Sequence, residues 1–244
     1  MKYIEKNFAT PEVINHEAEL EKCQLDEVYL TDTKHREGAT GAQLYDMVRD
    51  MQTFEGLKQQ LYKDQGGICC YCGMKLEFPF DPQFRVEHVL PKEHHRELVG
   101  EYKNLLLSCK VTKEETEERS NAPRKQRKAM MHCDEAKGSM ELTYSPLQNG
   151  CNEYFTYKLD GEVEGKDDNA KKDVITLGLN CKYLKTRRHN TLMEILFSGE
   201  DILDNELLAK YANSIMQRTK DNMFREYCFV ISSVINQLLS PQHP

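Results

Sequence analysis

The chain has 244 residues, 30% of them charged, with nine cysteines and a formal net charge of −7. A mean hydropathy of −0.70 and the absence of any run near the ~18 apolar residues of a membrane helix argue against a membrane protein. The acidic balance argues against a domain that coats nucleic acid nonspecifically, because such domains are basic overall, so any nucleic-acid site must be local.

The opening MKYIEKNFATPE lacks the apolar core of an export signal, so a cytoplasmic protein with no membrane association is the expectation. An odd number of cysteines without an export signal then reads as reduced thiols plus a metal, not as a disulfide framework. Residues 1–7 mix aromatic, aliphatic and charged side chains and suit a short strand, an arm or a frayed end. Thr10-Pro11-Glu12 is a helix start, with Thr as cap and Pro at the first helical position, and predicts a helix to about Cys23. After a polar stretch over 31–41, Leu44, Met47, Met51, Phe54, Leu57 and Leu61 recur at helical spacing and predict one or two amphipathic helices, closed by Gly66-Gly67.

Cys69-x-x-Cys72 follows, the spacing at which two thiolates on a tight turn reach one tetrahedral zinc. Cys109 and Cys133 are the candidates for the second pair, and Cys70 reads as packing. Lys75–Phe80 and Phe84–Leu90 read as two strands joined around Asp81-Pro82. Glu87-His88 on the second strand sets a metal-binding carboxylate beside a general-base imidazole. Regular alternation points them to opposite faces, unless a bulge or Pro91 breaks it. His94 and His95 read as a solvated loop. The segment between Cys109 and Cys133 is expected to be an inserted loop over 110–132, whose Arg124 and Lys125 suit either solvent or a phosphate backbone. His132, beside Cys133, is an alternative zinc ligand. Asp160-Gly161 is a strong hairpin signal between Tyr154–Lys158 and Glu162–Glu164. A lysine-rich linker over 165–172 then leads to helical patterns: Leu184, His189, Leu192, Ile195 and Leu196 in one segment, Ile202 to Met216, and Met223 to Leu239.

The order CxYC at 69–72, EHVLPK at 87–92, Tyr102-x-Asn104-Leu105 with Cys109, and CDEAKG at 133–138 resembles the HNH, or ββα-metal, endonucleases. The opening MKYIEKN and the HCDEAKG close are similar to the PtuB-like HNH subunits of the Septu and retron anti-phage systems. The motif match spans about a third of the chain, and it departs from the family where a CxxC is interrupted by 23 residues between Cys109 and Cys133.

The resemblance implies an α+β fold, with a zinc-stapled ββα-metal core over 65–140 flanked by a helical region over 1–64. A hairpin and linker over 141–172 and a helical region over 173–244 follow. It implies structural Zn²⁺ on Cys69, Cys72, Cys109 and Cys133, and a catalytic Mg²⁺ or Mn²⁺ on Glu87 and Asp134. His88 would be the general base, Asn104 would fix the catalytic loop, and Lys92 and Lys137 would meet the substrate, with Arg124 and Lys125 of the basic run as further candidates for the phosphate backbone. The activity implied is hydrolysis of nucleic-acid phosphodiesters, DNA before RNA, in complex with an ATPase resembling PtuA and, in a retron, with its RNA–DNA. A non-catalytic zinc adaptor is the rival reading.

Overall fold

In the computed structural model, which describes residues 1–23, 39–77, 84–197 and 204–240, helices begin where local chemistry caps them. Helix α1 (Pro11–Cys23) buries Val13, His16 and Leu20. Helix α2 (Gly41–Arg49) opens on a reciprocal cap between Thr40 and Gln43. Helix α3 (Phe54–Gln65) ends at Gly66, whose φ of 61° suits glycine and whose hypothetical Cβ would lie 2.4 Å from the Phe224 ring. The carboxylate of Glu19 on α1 accepts from the backbone of Gln52 and Thr53, which fixes α1 against the α2–α3 junction.

Two short sheets accompany the helices, so the fold is mixed α/β. Strand β1 (Phe84–His88) pairs antiparallel with β2 (Leu105–Cys109), placing Glu87 opposite Leu106 and His88 opposite Leu105. The expected pairing of residues 75–80 with 84–90 is therefore corrected. Among the described residues Lys75 bridges Ile68, and residues 78–83, with the expected Asp81-Pro82 turn, lie outside the described residues. The physical reason is burial: every residue of β2 is buried, and its Leu105-Leu106-Leu107 run supplies apolar side chains to both faces of a strand.

The segment over 110–132 is not a loop. Thr112 and Glu115 form a capping box that starts α4 (Lys113–Asn121), and α5 (Arg124–Arg127) follows. Helix α6 (Cys133–Lys137) then packs on β2. The expected linker over 165–172 is likewise half helix, because Asp167 caps α7 (Asp168–Thr176) by accepting from the Ala170 amide.

Strands β3 (Phe155–Tyr157) and β4 (Val163–Gly165) form the expected hairpin. Gly161 in its turn lies so close to the next helix, α8 (Lys182–Leu196), that a Cβ would fall 2.2 Å from the Lys185 carbonyl. The buried Arg188 of α8 donates to the carbonyls of Gly161 and Leu179 at 2.7 and 2.5 Å. The last two helices, α9 (Asn205–Ile215) and α10 (Cys228–Leu239), pack together. Their connection reaches back to the cysteine turn: the Phe224 amide donates to Gly66 and the Tyr227 amide to Gly73. One continuous cluster of buried side chains runs from Met1 to Ile235. The C-terminal helices are thus part of the core that holds residues 67–76. Among the described residues no helix is long and apolar enough to cross a membrane.

A candidate metal centre of four cysteines and the acidic strand end beside it

Residues 67–76 form a knuckle. The Cys69 amide donates to the Met74 carbonyl, the Gly73 amide to Cys69, and the Leu76 amide to Gly67, so both thiols of Cys69-x-x-Cys72 turn inward. The buried Gln65 side chain ties this knuckle to β2 by donating to Ile68 and Leu107 and accepting from the Leu107 amide. Cys109 comes from the end of β2. Cys133 opens α6 in a left-handed conformation, φ 55°, which is strained for a residue with a Cβ.

The sulfur atoms of Cys69, Cys72, Cys109 and Cys133 all lie within 4.8 Å of one another, and all four residues are buried. The Cys69–Cys133 and Cys72–Cys109 separations are 3.9 and 3.6 Å. A tetrahedron of sulfurs at the usual ~2.3 Å from zinc has edges of about 3.8 Å, so the four residues fit a metal such as zinc. Burial opposes ionisation of Cys69, but hydrogen bonds from the thiols of Cys109, Cys133, Cys70 and Cys72 outweigh it and hold its pKa well below that of an ordinary thiol. Cys70 is buried outside this group, and its amide donates to Leu107. His132 is also outside it: its Nδ1 is 3.7 Å from the Cys109 sulfur and its Nε2 is 2.8 Å from Glu115.

Glu87, 1% exposed, sits at the end of β1. The Tyr71 hydroxyl donates to its Oε1 at 2.6 Å, and the Lys137 ammonium contacts the same oxygen at 2.8 Å. Lys137 also donates to the His88 carbonyl at 2.9 Å. Burial and a hydrogen bond with the Asp134 carboxyl push the Glu87 pKa up to about 8, against the pull of Lys137. Asp134 is the accessible member of the pair, with its side chain 22% exposed and Arg85 at 3.6 Å. Carboxylate oxygens are hard donors of the kind that hold Mg²⁺ or Mn²⁺.

His88 points away from Glu87. Its Nε2 donates to the Val99 carbonyl at 2.9 Å, and its ring meets Tyr45 edge-on at 4.7 Å. A carbonyl is only an acceptor, so the neutral ring carries its proton on Nε2 and keeps its lone pair on Nδ1. Burial lowers the His88 pKa to about 4 and keeps the ring neutral. Asn104 clamps the turn that follows: its Oδ1 accepts from the Leu90 amide and its Nδ2 donates to the Leu90 carbonyl.

The fold therefore brings Glu87, Asp134 and Lys137 together, while the His88 ring is held by Val99 and Tyr45 and Asn104 by Leu90. The Lys92 ammonium lies 5.7 Å from the Tyr45 ring centre and 3.5 Å from Glu93. Arg124 and Lys125 are exposed on α5, with no hydrogen bond or ion pair to any of these residues. Sequence reasoning missed Tyr45, Tyr71, Arg85 and Glu115. Tyr71 had a signal, since it lies inside the CxYC motif, and Arg85 lies two residues before Glu87. Tyr45 and Glu115 had none, because each reaches the site from a distant helix. No protein-family model matches the chain, and no curated protein matches it.

Proposed function

We propose that the protein is a metal-dependent endonuclease of the HNH kind, whose β1–β2 pair and α6 form a ββα-metal core stapled by zinc. The observation that carries this reading is the carboxyl pair of Glu87 and Asp134 next in sequence to a neutral histidine, His88, with Asn104 clamping the turn that follows it at Leu90. A divalent ion on Glu87 and Asp134 would supply Lewis-acid polarisation of a phosphodiester. His88 Nδ1 accepts the proton of the attacking water, and its Nε2–H bond to Val99 fixes the ring for that task. Lys137 neutralises Glu87 and anchors the backbone of His88, so it positions both. Arg85 and Lys92 offer charge to the phosphate. The resemblance to PtuB-like subunits supports a role as effector of an anti-phage complex with an ATPase, DNA being the favoured substrate and RNA such as tRNA the alternative.

The test is cleavage of plasmid, single-stranded DNA and tRNA by the wild-type protein and His88→Ala, with Mg²⁺ or Mn²⁺ and with the ATPase present. His88→Ala is expected to lose ~10²–10⁴ in rate with zinc content unchanged. Cleavage by His88→Ala at the wild-type rate would overturn the mechanism. One observation favours a non-catalytic zinc adaptor: Glu87 is almost wholly buried and already paired with Lys137. Wild-type protein that binds zinc and the ATPase but cleaves no substrate would establish that reading.

A further inference from the structure

We propose that the groove between α1 and the turn at 96–101 docks an amphipathic helix of a partner protein, one that carries a large apolar anchor flanked by lysine or arginine. The groove shares no residue with the sulfur cluster or with the Glu87–Asp134 pair, so it serves a nuclease and a zinc adaptor equally. Phe8, Val13, Ile14 and Leu20 line its floor, in a volume of about 660 Å³. Val13 and Leu20 are buried, but Phe8 and Ile14 are 55% and 56% exposed. Among the large apolar side chains of the described residues, only Ile175 is more exposed than these two. Two such neighbours inside a polar rim mark a contact with a protein or a membrane.

The rim decides between them. Glu17 and Glu21 come from α1 and Glu97 and Glu101 from the turn, so four carboxylates border the apolar floor. Lys103 lies 3.3 Å from Glu101, and His95, which also meets Glu141, lies 3.6 Å from Glu97, which leaves the rim acidic. Glu17 Oε1 accepts from the Tyr102 amide at 3.0 Å, so that carboxylate is held at the wall. Glu17 and Glu21 are also one helical turn apart, a like-charge spacing that weakens a helix by itself and that a partner's cation relieves. Such a rim repels nucleic-acid phosphates and anionic membrane surfaces and attracts a basic segment. Among the described residues no strand edge borders the groove, so an occupant cannot pair its backbone there. A helix satisfies its own backbone and presents anchors at i, i+3 or i+4 and i+7. The 13 residues of α1 span about 20 Å, room for about three turns of a partner helix.

Fluorescence anisotropy on the full chain tests this with two labelled peptides of about 15 residues, or four helical turns. Both carry leucine at helical spacing, one with lysine on its polar face and the other with glutamate. The lysine peptide is expected to bind, and the glutamate peptide to bind at least ~10-fold more weakly. Ile14→Ser removes an exposed anchor contact and should weaken the lysine peptide ~10-fold, whereas Ile175→Ser, which does not line the groove, should leave it unchanged. Glu17→Gln with Glu21→Gln keeps an acceptor for the Tyr102 amide and should flatten the dependence of binding on salt. Should Ile14→Ser fail to fold, the doubly substituted glutamine protein decides alone, and an unchanged salt dependence in it would overturn the proposal. No binding of the lysine peptide, equal binding of the two peptides, or equal affinity in wild type and Ile14→Ser would do the same. A dimer seen by light scattering that Ile14→Ser dissociates would assign the groove to a second copy of the chain and overturn the partner helix.

Discussion

The sulfur cluster and the Glu87–His88 end are both built on the β1–β2 pair, at opposite ends of β2: Cys109 closes it and Leu105, facing His88, opens it. The four thiols come from the knuckle, β2 and α6, and have mainly one another for neighbours. Glu87 by contrast is answered by a hydroxyl, an ammonium and a carboxyl of the protein itself. The cluster is closed and dry, whereas the acidic end shades into the half-exposed Asp134 and Arg85. The difference separates two tasks. A closed set of soft ligands suits a structural metal, and under the proposed function the buried acid with a partly exposed partner would be the reactive end.

The largest expected effect breaks the first region. Cys69→Ser or Cys133→Ser should yield zinc-free, aggregated protein, since structural zinc contributes on the order of 10 kcal/mol in small modules. Soluble variants with a full equivalent of zinc would abolish the contrast. Next comes the second region: Lys137→Met removes the cation beside the buried Glu87 and the bond to the His88 carbonyl, and should lower stability in urea by about 1–3 kcal/mol at neutral pH and by more above pH 8, where Glu87 ionises. Adding Glu87→Gln should recover much of that loss, and a double-mutant cycle that is simply additive would show that the pair is not coupled.

The third effect is in pH. His88 has a folded pKa of about 4 against an ordinary 6.5, so the unfolded chain binds the proton more tightly. Its contribution is present above pH 6.5 and is lost as pH falls towards 4, on the order of 3 kcal/mol in all. Glu87 has the opposite sign. Its pKa rises from 4.5 to about 8, so the folded state binds the proton more tightly and stability falls as pH rises through that window. His88→Asn should flatten the acid limb of the melting temperature against pH, and Glu87→Gln the neutral one. A profile unchanged by either substitution would place both groups in ordinary surroundings. The smallest effect is expected on α5. Arg124→Glu with Lys125→Glu should change stability by no more than ~0.5 kcal/mol, while the salt dependence of nucleic-acid binding should drop by about one per residue. An unchanged salt slope would remove both residues from the interface.

Much of the scaffold was legible locally. Pro11, Gly66 and Asp160-Gly161 fall where the chain starts a helix, ends one and turns a hairpin, because each acts through its own backbone preferences. Residues 110–132 were read as a loop from their charge. Helix α4 is indeed polar on nearly all sides, and its capping box and the buried Glu115 hold it in place without an apolar stripe. The partner of β1 was misread because the nearer candidate run, 75–80, competes in sequence with one that begins at Leu105, and strand pairing is decided by burial across the whole core.

The sequence by itself marked the Cys69-x-x-Cys72 turn, because that spacing suits two thiols on one tight turn, whereas the fold decided that Cys109 and Cys133, and not His132, stand with them. The sequence also determined the adjacency of Glu87 and His88, which is covalent. Only the tertiary structure decided that Lys137 would turn back onto Glu87, that Val99 would choose the protonated nitrogen of His88, and that Glu115 would stand behind His132. Those relations join residues 11 to 50 positions apart through hydrogen bonds and burial, and no local rule of the chain encodes where such partners meet.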